Sequence, residues 1–233
     1  MASRVPSRVH IASGMTDMIA LLTSSGQGAD MSEFCGGGAR STTIAIRRNL
    51  STGINFDLVA HIDLGVPATQ RWTLQYLDQH EVQVLVMAPS CRALGPPSNL
   101  NYHIHHETWL KSYEEDAPHV RFCGTAAQKQ LKQGRHFIVE NPWPTWLFHE
   151  PPWPAVCQNQ QVCSVIVDQC MMGLKNRDGL HVKKPTILVA SHPALLEPFK
   201  GMRCNGKHVH SQAFWPRTCK IAAVALEFRR AHR

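Results

Sequence analysis

Glu33-Phe34-Cys35-Gly36-Gly37-Gly38-Ala39-Arg40-Ser41 decides how this chain is read. Three consecutive glycines suit the interior of neither a helix nor a strand. They permit positive φ and let backbone N–H groups come close to a ligand. Residues 40–49 then have the character of a helix whose positive N-terminal end faces the same spot. Strand, glycine turn and helix in that order form a cradle for a cofactor. The lead-in Ala29-Asp30-Met31-Ser32 is poor in the β-branched residues that a central strand favours.

Outward from that turn, residues 54–58 form a short apolar run through Asp57, and residues 82–88 form a β-branched strand ending at Pro89-Ser90-Cys91. Residues 68–78 suit a helix between them, which makes a parallel crossover unit. Residues 92–106, rich in Pro, Asn and His, predict a loop, and 107–113 and 120–133 two helices, the second stopped by Gly134. Residues 137–139 are a buried strand ending at Glu140-Asn141-Pro142. The proline- and tryptophan-rich stretch 143–153 excludes a regular element. Strands follow at 162–167 and 186–190, then an irregular stretch over 193–210 and a helical face over 220–230.

Six strand candidates separated by helices or long crossovers predict an α/β fold, a doubly wound, mostly parallel sheet with helices on both faces. Residues 1–31 are expected to be a loosely structured extension and 32–233 a single domain. Ligands of such sheets lie beyond the carboxyl ends of the strands. The candidates are therefore residues 34–38, Asp57, Asp63, Pro89 to Cys91, Glu140 to Pro142, Asp168 and Gln169.

The 233 residues suffice for one sizeable core, and no apolar run approaches a membrane span, so no membrane partner is expected. A net charge of +7 favours a polyanionic partner. Eight cysteines, scattered without the dense framework of small secreted domains, favour a reducing compartment, nuclear or cytoplasmic.

Taken in order, the strand-end residues resemble the class I methyltransferases that use S-adenosylmethionine, and more narrowly the DNA cytosine-5 methyltransferases. Phe34-Cys35-Gly36-Gly37-Gly38 looks like that family's Phe-x-Gly-x-Gly turn, Pro89-Ser90-Cys91 is similar to its Pro-Cys motif, and Glu140-Asn141-Pro142 to its Glu-Asn-Val motif. The resemblance implies S-adenosylmethionine resting on Phe34, Gly36, Gly37, Gly38 and Pro89, with Asp57 at the ribose hydroxyls and Asp63 at the adenine amino group. It also implies a methyltransferase fold acting on nucleic acid, DNA rather than RNA. Cytosine C5 is a poor methyl acceptor until a thiolate adds at C6, which makes Cys91 the candidate nucleophile and Glu140 the acid at ring N3.

The chain departs from that pattern at Ser90 before the cysteine and at Arg92 after it. A Gln-x-Arg-x-Arg motif is absent, Gln169 being followed by Cys170 and two methionines, and the region after Ala190 is short for a target-recognition domain. Glu140-Asn141-Pro142, Lys183-Lys184-Pro185-Thr186 and residues 204–210 also resemble methyltransferase-like segments of retrotransposon-type polyproteins. That resemblance suggests an alternative, a non-catalytic nucleic-acid-binding or assembly module derived from a mobile element.

Plainer roles compete at each position. Cys91 could be a small buried residue, Glu140 a loop cap, and the two aspartates turn formers. Trp143, Trp146 and Trp153 could stack on a rotated base or pin their own loop. Arg135, Lys183, Lys184, Arg229 and Arg230 could hold phosphates or simply be surface. Cys204, His208 and His210, with Cys219 downstream, have zinc-ligand types, as do His103, His105 and His106. Neither group has paired Cys-x-x-Cys spacing, and no metal is expected.

Overall fold

Val84-Leu85-Val86-Met87 shows why the chain folds in layers. Leu85 and Met87 enter one apolar core, while Val84 and Val86 face another. Strand side chains alternate with a period of two, so a strand apolar throughout must be covered on both faces. The structure, a computed structural model, describes residues 8–24, 26–96 and 98–211.

Six strands, β1 (Met31–Phe34), β2 (Thr52–Phe56), β3 (Val84–Met87), β4 (His136–Pro142), β5 (Cys163–Asp168) and β6 (Pro185–Ala190), form one sheet in the order β2-β1-β3-β4-β6-β5. The first four run parallel, and β6 runs antiparallel to both of its neighbours. The mixed α/β class and mostly parallel sheet are as expected, whereas the reversed strand is not. Between β5 and β6 lie only a 3-10 turn, Gln169–Met172, and a loop. With no helix to carry the chain across a face, it returns antiparallel.

The helices are α1 (Arg8–Leu22), α2 (Arg40–Ile46), α3 (Pro67–Gln79), α4 (Ser98–Ile104), α5 (His106–Lys132) and α6 (Trp153–Cys157). Leu77 of α3, Val120, Phe122 and Ala126 of α5 and Trp153 of α6 share the core with Leu85, Met87, Phe137 and Ile187. Met15, Met18 and Leu22 of α1 and Ile44 and Ala45 of α2 share the other with Val84, Leu188 and Ala190.

Three elements differ from the sequence reading. Much of the stretch expected to be loosely structured is α1, whose Met15, Met18 and Leu22 recur at helical spacing and are buried. The two helices expected between 107 and 133 are one 27-residue helix that runs through Pro118. An internal proline costs about 3 kcal/mol; burial of Ala117, Val120, Phe122 and Cys123 around it offsets that. The expected loop 92–106 contains α4. The helical face over 220–230 lies outside the described residues. Among the described residues, no helix is long and apolar enough to cross a membrane.

Candidate functional site

From β1 the chain winds outward to β2 and then returns to lay β3 on the other side of β1. The winding direction reverses there, and the crevice outside the carboxyl ends at such a point is where open α/β sheets bind ligands. A cleft of about 740 Å³ lies at that place. It is lined by Cys35 beyond β1, Asp57 and Asp63 beyond β2, Ser90 and Arg92 beyond β3, and Glu115, Asp116 and His119 from α5.

The glycine turn follows Cys35, which lines the cleft, but Gly36, Gly37 and Gly38 are not among the lining residues. Cys35, Gly37 and Ala39 have φ of 56°, 56° and 49°, so alternate residues are left-handed and only the middle one is glycine. Asp57 Oδ2 accepts a hydrogen bond from the Gly37 N–H at 2.8 Å, and Asn55 Nδ2 donates to the Gly37 carbonyl at 3.0 Å. Gly36 has no room for a side chain, since a Cβ would stand 2.7 Å from Asn55 Oδ1 and 3.0 Å from the Glu33 carboxyl. The left-handed conformation costs a non-glycine residue roughly 1–2 kcal/mol, part of which glycine returns as unfolded-state entropy. Ala39→Gly is therefore expected to raise stability by about 0.5–1 kcal/mol, read as an upward shift of the denaturation midpoint.

The expectation that a helix N-terminus faces the ligand is corrected. The helix α2 has seven residues, and its Thr42 N–H donates to Glu33 Oε2 at 3.0 Å, as does the Thr42 hydroxyl. Glu33, buried at the end of β1, thus occupies the helix end from within the protein.

Asp57 is half-buried, with Oδ1 accepting from the Val59 N–H at 2.8 Å as Oδ2 does from Gly37. A carboxylate oxygen has two lone pairs, so each can accept one further hydroxyl. Asp63 Oδ1 accepts from the Gly65 N–H at 2.7 Å and lies 2.9 Å from His119 Nε2. Phe34 does not line the cleft: it is fully buried, stacked on Phe122 at 5.7 Å and edge-on to Phe56 at 5.3 Å. Pro89 is likewise buried, and Gly38 is exposed on the turn.

Cys91 sits between the lining residues Ser90 and Arg92, both of which grip the buried carboxylate of Asp116. Ser90 Oγ donates to Asp116 Oδ2 at 2.8 Å, and Arg92 Nη2 reaches Asp116 Oδ1 at 2.6 Å and Glu115 Oε2 at 3.0 Å. The two departures from the family pattern thus form a clamp around the cysteine. Asn141 ties β4 to the same loop, donating to the Pro89 carbonyl at 3.3 Å and accepting from Thr145 Oγ1 at 2.7 Å. Glu140 and Lys184 are 7% and 4% exposed, with Nζ 3.8 Å from Oε1. Burial pushes the Cys91 thiol above its ordinary range; Lys184 pulls it down, while Glu140 and Asp116 raise it further. The glycine turn, Asp57, Asp63, Cys91 and Glu140 therefore share one rim of the sheet, but of the four side chains only Asp57 and Asp63 line the cleft.

Other candidates separate. Trp153 is core, its Nε1 donating to the Val120 carbonyl at 2.9 Å, whereas Trp143 and Trp146 are exposed. Arg135 precedes β4 on the far rim and pairs with Asp78 at 3.3 Å. Lys183 is exposed, and Arg229, Arg230 and Cys219 lie outside the described residues. His103 and His106 group around Tyr102, at 5.1 and 5.3 Å. No local sequence signal marks Asp116, which meets Ser90 from a distant helix, or Glu33 as a buried acid in a strand. A group of metal-ligand types does converge, but with Cys170 beside Cys204, His208 and His210.

Comparison with protein-family models finds no match, and comparison with curated proteins finds none either. Among solved structures, one titled "Structure Analysis of Entamoeba histolytica methyltransferase EhMeth" is similar with a TM-score of 0.40 and 12% identity, over 70% of this chain and 53% of that one. This chain thus spans about half the length of that structure.

Proposed function

We propose that the cleft binds S-adenosylmethionine, on a doubly wound methyltransferase-like sheet, and that the protein methylates a nucleic-acid base, cytosine at C5. The observation that carries this reading is an acid-lined cleft at the point where the winding reverses. Asp57, Asp63, Glu115 and Asp116 line it against Arg92 and His119, and Arg92 is already bound to two of those carboxylates. Dinucleotides need a site for their pyrophosphate at a helix N-terminus; here Glu33 fills that end. A ligand with a sulfonium, an ammonium and ribose hydroxyls, and no phosphate, suits the residues present. Asp57 would accept the ribose hydroxyls and Asp63 the adenine amino group.

When bound, this cofactor supplies an electrophilic methyl group. The chain's own task is to make the acceptor carbon nucleophilic and to align it. Cys91, as the thiolate, adds to ring C6 while Glu140 passes to N3 a proton taken from the Lys184 ammonium paired with it, leaving an enamine whose C5 takes the methyl group. Loss of the C5 proton to a base then expels the thiolate, and N3 returns its proton to the Glu140 carboxylate, which restores the ring. Lys184 favours the thiolate, and the clamp on Asp116 holds the loop. The net charge of +7 suits a polyanionic substrate.

The raised Cys91 thiol supports a second reading, direct transfer to a base amino group with no adduct. Calorimetric titration with S-adenosylmethionine and S-adenosylhomocysteine tests the shared premise, and both are expected to bind. Turnover on DNA then separates the routes: Cys91→Ser abolishes it on the covalent route and leaves most of it on the direct one. Salt-sensitive nucleic-acid binding with no binding of either cofactor form would overturn both readings in favour of the mobile-element module.

A further inference from the structure

We infer that Cys170, Cys204, His208 and His210 form a tetrahedral zinc site that fastens the segment after β6 to the carboxyl rim of the sheet. Their four ligand atoms all lie within 4.8 Å of one another. In a tetrahedron with Zn–S of about 2.3 Å and Zn–N of about 2.05 Å, a sulfur and a nitrogen stand about 3.6 Å apart. Cys204 Sγ lies 3.7 Å from His208 Nε2 and 3.4 Å from His210 Nε2. Both imidazoles thus present the same ring nitrogen to one sulfur at the separation that a shared zinc ion imposes. A disulfide between the two cysteines would account for neither ring.

The surroundings have the features of a metal shell. The Gly206 N–H donates to Cys204 Sγ at 3.4 Å, the kind of outer bond that stabilises a ligating thiolate. Asp168 is almost wholly buried; its Oδ2 accepts from the Cys204 N–H at 2.8 Å and lies 3.5 Å from Arg203 Nε, while its Oδ1 has no hydrogen-bond partner. His181, whose ring lies 4.3 Å from that of His208, has a buried Nδ1 in the same condition. Buried carboxylate charge without full pairing is costly, and a nearby cation offsets it.

The chain around the site needs such a fastening. Residues 203–211 meet the rest through Arg203 and the Cys204 N–H at Asp168, a single bridge from His181 to His210 and the Ser211 N–H to the His181 carbonyl. The sequence points to Cys204, His208 and His210; it is the meeting of this segment with the end of β5 that supplies Cys170. The turn carrying Cys170 also touches the rim, because the Gln169 N–H donates to the Lys184 carbonyl at 3.0 Å and Gln169 Nε2 to Thr186 Oγ1 at 2.9 Å. The metal would thereby brace the strand that delivers Lys184 to Glu140, and it would do so whether or not the cleft binds S-adenosylmethionine.

The full chain, purified without chelator and dialysed, is expected to retain one equivalent of zinc by elemental analysis. A Cys204→Ser/His208→Asn variant is expected to lose it, and a His103→Asn/His106→Asn variant to keep it. Should the first variant fail to fold, cobalt exchanged into the unaltered chain gives the answer: intense visible bands of a tetrahedral ion with thiolate charge transfer support the site. Absence of zinc from the unaltered chain, zinc retained by a folded Cys204→Ser/His208→Asn variant, or a weak octahedral cobalt spectrum overturns it.

Discussion

Asp57→Ala is expected to weaken S-adenosylmethionine binding about a hundredfold while leaving the fold intact. Two losses act together. The Gly37 N–H loses the carboxylate oxygen that fixes the turn at 2.8 Å, and the ribose hydroxyls lose their acceptor. Hydrogen bonds to a charged group are worth about 1.5–3 kcal/mol each, and 1.4 kcal/mol is a factor of ten in affinity. Discounting for water that replaces the side chain, a total near 3 kcal/mol gives that hundredfold. Asp57→Asn keeps one oxygen acceptor and should lose nearer tenfold. Calorimetric titration of both variants, beside their melting curves, measures the effect. Unchanged affinity in a folded Asp57→Ala protein would remove the cofactor from this cleft.

Lys184→Met should be among the most destabilising single changes in the molecule, at roughly 3–5 kcal/mol, the range for stripping one partner from a buried ion pair. The pair is nearly sealed from water, so the variant would leave the Glu140 charge poorly compensated in a low-dielectric setting. Lys184→Met/Glu140→Leu should recover most of the loss, because two apolar groups suit this setting better than a carboxylate deprived of Lys184. Denaturant midpoints of the two single variants and the double variant close the cycle. A near-neutral Lys184→Met would mean that the pair contributes little to stability. On the methyl-transfer reading, the same change should also slow turnover, since Lys184 is the group that lowers the Cys91 thiol.

Much of the sheet was legible in the sequence for a physical reason: β3 and β6 are covered on both faces, so Val84 to Met87 and Ile187 to Ala190 read as uninterrupted apolar runs. The glycine turn was legible because few backbones tolerate three glycines other than a bend. What escaped depends on distance along the chain. The reversal of β6 follows from the missing crossover helix, and α5 continues past Pro118 because its flanking residues are buried. The clamp of Ser90 and Arg92 on Asp116 joins residues from a loop and a remote helix. Likewise, the sequence offered Cys219, which lies outside the described residues, as a companion to Cys204; among the described residues the structure adds Cys170.

The burial of α1 beneath the turns Pro193–Leu195 and Glu197–Phe199 has a mechanical consequence. Those turns carry the chain from the far rim of the sheet, at Ala190, back to Met202, whose carbonyl receives the Asp168 N–H. The first helix and the last described segment therefore form a single cooperative clasp. Loosening Met15, Met18 or Leu22 would slacken the strap that ends at Cys204, so a disturbance in α1 is transmitted to residues 203–211.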